Sequence, residues 1–359
     1  MKRALDNRGS LLLLLVLAVT AAVLWGMRHQ DAQPPASLEQ WLRREGIAGA
    51  VIAVQRNDGR VSVRTIGAGP APGRAPLDAT TTLPIASLTK PITAAVVRRL
   101  IAEGRLSLDT PALDSRVLGE HPGDERYGRI SIRHLLQHTA GLDQRMGDPM
   151  FADGKLVGCD AAVAATLRRP LLHEPGRHMQ YSNTGYCLLG TLIEQATGMD
   201  YPRAVRHVLG LGTSEPLSLG PSVRAHRQWP MSPAQWAAAG AAGGLFSNAG
   251  TLLSIYSSDA RDRSIVAPAT TAHGEWYYGL GWRVWPQVNG YRLTHYGDLP
   301  GMFSAAVAYP DGRVALALLN GRPGKPEESS LALLRWLDRE LHSPGDSPSR
   351  GRRKPSPES

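Results

Sequence analysis

The chain has 359 residues, 42% hydrophobic and 20% charged, an ordinary globular composition with material for one large domain or two smaller lobes. Its formal charge of +9 raises nucleic acid as a partner. The basic residues, however, are scattered rather than gathered into stripes, apart from the tail Arg350, Arg352, Arg353 and Lys354, and no motif accompanies them, so no nucleic acid is expected. Only Lys2, Lys90, Lys155, Lys325 and Lys354 are lysines and every other basic residue is arginine. Arginine does not lose its proton at useful pH, so each lysine is a candidate for acid–base work.

In chain order, Lys2, Arg3 and Arg8 precede an uncharged apolar run from Leu11 to Met27 that Arg28 and His29 close. This pattern predicts export, with residues 1–36 as a signal or membrane anchor and spacer. Ala21 or Ala22 would suit a signal peptidase, yet the apolar run continues to Trp25, which favours an anchor in the inner membrane with the body facing the periplasm. A cleaved signal, and hence a secreted or periplasmic protein, is the alternative. Gln33-Pro34-Pro35 reads as a stiff spacer.

Residues 50–55 and 61–66 alternate around Asn57-Asp58-Gly59 and predict a hairpin. From Ser87 the pattern turns helical: 93–103, 132–137, 160–167 and 184–196. Strands return at 278–284, 291–296, 303–309 and 314–319, and an amphipathic helix follows at 330–341. Strands at both ends with helices between them predict an α+β fold. In it, an antiparallel sheet is built from both chain ends, a mainly helical lobe is inserted over about 92–230, and the cleft between them is the natural active site of a domain spanning 37–342. Residues 343–359 read as a disordered basic tail. Cys159 and Cys187 are either one disulfide of an oxidising compartment or two small buried side chains. His134 and His138 stand at i and i+4 without the glutamate of a helical zinc motif, and no Cys/His cluster has zinc spacing.

Three short stretches carry chemistry. Ser87-Leu88-Thr89-Lys90 runs into a helix, and the offset of three places the amine and the hydroxyl on one face, within proton-transfer reach. Alone the pattern is weak, since a serine cap and a surface lysine give the same letters. Tyr181-Ser182-Asn183 opens a second helix. A tyrosine beside Lys90 would sit with a lowered pKa and shuttle a proton, and the Asn183 amide would hold a substrate carbonyl; the alternative is a plain helix cap. His295-Tyr296-Gly297-Asp298 ends a strand, with His295 facing the substrate and Gly297 letting its backbone approach; the alternative is simply a histidine at a strand end before a Gly/Pro turn.

With these three motifs in this order, the chain resembles the serine β-lactamase-like family, in particular its class C, D-alanyl-D-alanine carboxypeptidase and esterase branch. The resemblance covers about residues 38–342. It includes 104–109, 132–142, Glu174-Pro175-Gly176, 243–247 and Tyr278-Gly279-Leu280-Gly281-Trp282. It implies that Ser87 is acylated, that Lys90 and Tyr181 move its proton, and that Asn183, His295 and Gly297 bind substrate. The oxyanion hole would be the backbone N–H groups of Ser87 and Asp298, with no metal and no cofactor.

The third motif bears on the substrate. Neutral His295 would lack the cation that meets a substrate carboxylate, Tyr296 would narrow the cleft if it points inward, and Asp298 would repel an anion. This favours a hydrolase of esters or amides of a small or peptide-like molecule. After it come a D-amino-acid peptidase of the cell wall, a β-lactamase, and a non-catalytic module that binds cell-wall fragments. His138 is expected to be structural.

Overall fold

The computed structural model describes residues 37–69, 76–114, 123–221, 230–267 and 274–343. The N-terminal segment expected to be a signal or anchor and nearly all of the basic tail lie outside these. Helix α1 (Leu38–Arg44), capped by Ser37, leads into the hairpin of β1 (Gly49–Gln55) and β2 (Val61–Gly67), with Gly59 at positive φ in its turn. At the other end of the described chain lie β8 (Tyr277–Tyr278), β9 (Arg283–Gln287), β10 (Gly290–Leu299), β11 (Met302–Ala308) and β12 (Val314–Asn320), then helix α10 (Pro326–His342). They form one seven-stranded sheet in the order β2-β1-β12-β11-β10-β9-β8, antiparallel throughout, in which the first hairpin joins the last strand by β1–β12 pairing.

The central strands are apolar on both sides because both sides are covered. On β1, Ala50, Ile52 and Val54 pack with Leu38, Trp41, Leu333, Trp336 and Leu337 of α1 and α10. Val51 and Ala53, one residue out of phase, enter the core shared with the helical lobe. The predicted single strand 278–284 is instead two, β8 and β9, broken at Gly279–Trp282. Gly281 there takes φ +103, which other residues adopt only with strain, and rests against Ala94 of the helix Thr89–Ala102.

Between the chain ends the lobe runs through β3 (Leu83–Pro84), α2 (Thr89–Ala102), α3 (Ile132–Leu136), the hairpin β4 (Phe151–Ala152) and β5 (Lys155–Leu156), α4 (Cys159–Leu167), α5 (Asn183–Thr197) and α6 (Tyr201–Leu209). It then passes β6 (Leu217–Leu219), α7 (Pro233–Ala238), α8 (Gly240–Gly243), β7 (Leu245–Ser247) and α9 (Ala249–Asp259). Helix α2 is buried along most of its length. Its Arg98 pairs with Asp259 and Asp262 and donates to the Leu280 carbonyl, and Trp282 Nε1 donates to Asp259 at 2.7 Å. A buried ion pair with every partner placed fixes geometry more than it adds stability, and here it ties α2 to α9 and to the β8–β9 turn.

Cys159 and Cys187 form a disulfide, with Cα atoms 5.2 Å apart, that joins α4 to α5 one turn beyond Asn183. Replacing both cysteines by alanine is expected to lower unfolding stability by about 3.5 kcal/mol, the loop-closure value for a bridge of this span. Denaturant unfolding of the oxidised protein and the variant checks this.

Candidate active site

Residues Ala86–Leu88 form a 3₁₀ turn that runs directly into α2. Ala86 is held at φ +44, a conformation that side-chain-bearing residues adopt only where neighbours impose it. The neighbour is β10. A Cβ on Gly297 would lie 2.6 Å from the Ile85 carbonyl oxygen and 2.9 Å from the Ala86 Cβ, so only glycine lets the strand and the turn touch. The sequence reading gave this glycine to the approaching substrate; what approaches is the turn that carries Ser87. Ser304 Oγ, on β11, donates to the Ile85 carbonyl at 2.8 Å and pins the turn from the next strand.

Neither modest alternative for Ser87 and Lys90 survives. The Ser87 side chain makes no cap bond to either helical segment, and Lys90 is fully buried rather than at the surface. Lys90 Nζ stands 3.1 Å from Ser87 Oγ, 2.6 Å from Asn183 Oδ1 and 2.6 Å from the Ala242 carbonyl oxygen. Burial pulls its pKa down to about 7, opposed by the Asp148 carboxylate. The last two partners are carbonyl oxygens that only accept. Neutral Lys90 therefore points both of its N–H bonds at them and its lone pair at the Ser87 hydroxyl.

Helix α5 supplies the second wall. Ser182 caps it, accepting from the Gly185 N–H, and Asn183 at the first helical position turns to Lys90, so cap and site residue are adjacent rather than alternatives. The Asn183 amide nitrogen donates to Asp148, a residue of the loop before β4 that sequence reasoning missed. No motif marks that aspartate, which reaches Asn183 only by folding. The Tyr181 side chain faces Ser87, and its ring lies 4.9 Å from Lys90 Nζ. Its pKa is raised by burial, against the lowered value expected from sequence: desolvation disfavours the phenolate, and an adjacent amine with a pKa near 7 gives it little cationic support. Tyr181 is therefore a neutral O–H donor. His138, in a turn at φ +57, stacks on the Tyr181 ring at 4.3 Å and accepts the Ser182 N–H at Nδ1, which fixes the tyrosine's place from behind.

The third motif is corrected at three residues. His295 Nδ1 donates to the Tyr296 carbonyl at 2.9 Å and Nε2 accepts from the Tyr278 hydroxyl at 2.7 Å, so both nitrogens are occupied. The ring, 2% exposed and held neutral by burial, is a wall of the site rather than a free hydrogen-bonding group. Tyr296 does not enter the cleft. Strand alternation turns it to the opposite face, where it stacks on Phe303 and carries the Arg283 guanidinium 4.5 Å above its ring. Asp298 is bound by both oxygens to Arg322, at 2.5 and 2.9 Å, and presents no unmatched charge. Beyond Thr294 strand β10 has no pairing with β9, so residues 295–299 form an open strand edge beside the nucleophile turn. Tyr296→Thr is accordingly expected to leave kcat/KM for a small ester within about twofold of the parent, since surface changes away from a site act weakly; an ester assay checks it.

Esterase EstB of Burkholderia gladioli is 32% identical over 188 residues, which is 48% of this chain and 47% of the esterase. The chain spans less than half the length of the curated relatives it matches. Among solved structures, EstCE1, a hydrolase with promiscuous acyltransferase activity, superposes with a TM-score of 0.66 at 21% identity, covering 88% of this chain and 98% of EstCE1. The D-amino acid amidase of Ochrobactrum anthropi SV3 superposes with a TM-score of 0.65 at 23% identity, covering 85% and 98%. These two establish the shared α+β fold. The family model described as Beta-lactamase matches residues 32–339, and with this fold the chain belongs to the β-lactamase family of serine hydrolases.

Proposed function

We propose that this hydrolase works outside the cytoplasm by forming an acyl-enzyme on Ser87 and hydrolysing ester or amide bonds of a small or peptide-like substrate. The observation that carries the reading is the Lys90 environment: two carbonyl acceptors take N–H bonds, so that in the neutral amine the lone pair is left for the Ser87 hydroxyl. Lys90 takes the proton as Ser87 Oγ attacks the substrate carbonyl, and neutral Tyr181 protonates the departing alcohol or amine and is refilled from Lys90. The N–H groups of Ser87 and Asp298 hold the oxyanion, the first at the start of a helical turn and the second on the open edge of β10. Water then attacks the ester, a proton returns to Ser87 Oγ, and the acid leaves. The disulfide and the apolar N-terminus support an exported, membrane-anchored protein.

An amide-cleaving peptidase is the second reading, and one observation favours it. The inward Tyr296 and unmatched Asp298 that counted against it on sequence grounds are turned away and paired. Intact-mass spectrometry of the protein and its Ser87→Ala variant after exposure to a short-chain ester, a D-Ala-D-Ala peptide and penicillin separates these readings. Acylation and turnover of the ester alone supports the esterase, and peptide turnover supports the peptidase. Equal behaviour of parent and variant sinks both.

A further inference from the structure

The Asn183 amide has two ends that differ chemically but hardly in shape. Rotated by half a turn it would present its NH₂ to Lys90, donor against donor. Within the fold, Asp148 decides between the two. Its Oδ2 accepts from Asn183 Nδ2, which leaves Oδ1 toward Lys90 at 2.6 Å. The aspartate is itself held: Oδ1 accepts the Met150 N–H at 3.0 Å, and its carbonyl accepts the Phe151 N–H at 2.9 Å at the start of the β4–β5 hairpin. A continuous chain of hydrogen bonds thus runs Asp148, Asn183, Lys90, Ser87.

We infer that Asp148 is a positioning residue of this centre, which sets the orientation of the Asn183 amide and supplies the carboxylate that faces Lys90 across it. The inference rests on the Ser87–Lys90 reading and adds to it a residue outside the three motifs. The other titratable groups around Lys90 are the rings of Tyr181 and Tyr186, 4.9 and 5.5 Å from Nζ, and the imidazoles of His138 and His295. Burial keeps all four uncharged. Arg283 is a cation that His138, His295 and Tyr181 register, and Asp148 is the charge that favours the ammonium form of Lys90. Removing that charge makes Lys90 easier to deprotonate, while removing the acceptor frees the amide to turn.

Two variants separate the two roles. With five lysines in the chain, ¹³C-lysine NMR resolves the Lys90 titration without any substrate. Asp148→Asn keeps an acceptor for Asn183 but loses the charge. Its Lys90 midpoint is expected to fall by about half a unit or more, and the acid limb of kcat/KM with it, while plateau kcat for p-nitrophenyl acetate stays within about threefold. Asp148→Ala loses both, so the same shift comes with a roughly tenfold or greater fall in kcat, the scale seen when a residue orienting a site ligand is removed. A midpoint that moves by less than about 0.2 unit in both variants, or full kcat in Asp148→Ala, overturns the inference. A moved midpoint in a protein that turns over nothing supports Asp148 and rejects the hydrolase reading, so the two fail separately.

Discussion

Ser87→Ala is expected to abolish covalent labelling by a fluorophosphonate and to reduce ester turnover by about 10⁴-fold or more, as loss of the nucleophile does in other serine hydrolases. The substitution removes one oxygen from a preformed turn. Ala86 keeps its strained φ because Gly297 and Ser304 hold it, so the variant should fold as the parent does. Lys90 would keep its bonds to Asn183 and Ala242 and lose only the 3.1 Å partner. Unchanged thermal unfolding together with lost labelling is the predicted pair of results. Retained labelling would move the nucleophile elsewhere.

Lys90→Arg keeps a cation and removes the base, and kcat/KM is expected to fall by about 10³-fold, within the range general-base catalysis contributes. The parent's pH profile gives the companion test. Burial holds Lys90 at about 7, and the active form is the neutral amine. Activity should therefore rise with pH through about 7, falling tenfold per unit below that midpoint. The sign for stability follows from the same shift. Between about 7 and the ordinary lysine value of 10.5 the unfolded chain binds the proton and the folded chain does not, so Lys90 makes folding more favourable as pH rises across that window. In Lys90→Arg the acid limb near 7 should vanish, because guanidinium does not titrate there. A normal rate with the limb intact would assign the base to another group.

The hairpin 50–66, the three strands from Tyr291 onward and the closing helix are legible because period-2 and period-3.6 apolar patterns are local. Helices α6, α7 and α9 are not. Residues 201–209 and 249–259 sit between glycines and prolines that punctuate the pattern, and residues 233–238 make too short a run to show a period. The misjoined strand at 278–284 failed for a related reason. Only the packing of Gly281 on α2 reveals the break.

Sequence by itself placed the proposed nucleophile and base side by side. Serine and lysine three apart on a helix start meet by helical geometry alone, and a lysine among so many arginines stands out. It also determined the order of the three motifs and the α+β class. Tertiary structure decided what those letters do at their neighbours. Desolvation brought the Lys90 amine near neutrality and kept Tyr181 protonated, and strand alternation with a long-range ion pair turned Tyr296 and Asp298 away from the cleft. Asp148 came to Asn183 from 35 residues away. Burial, facing and pairing across the chain are properties of the packed state, and no local pattern encodes them.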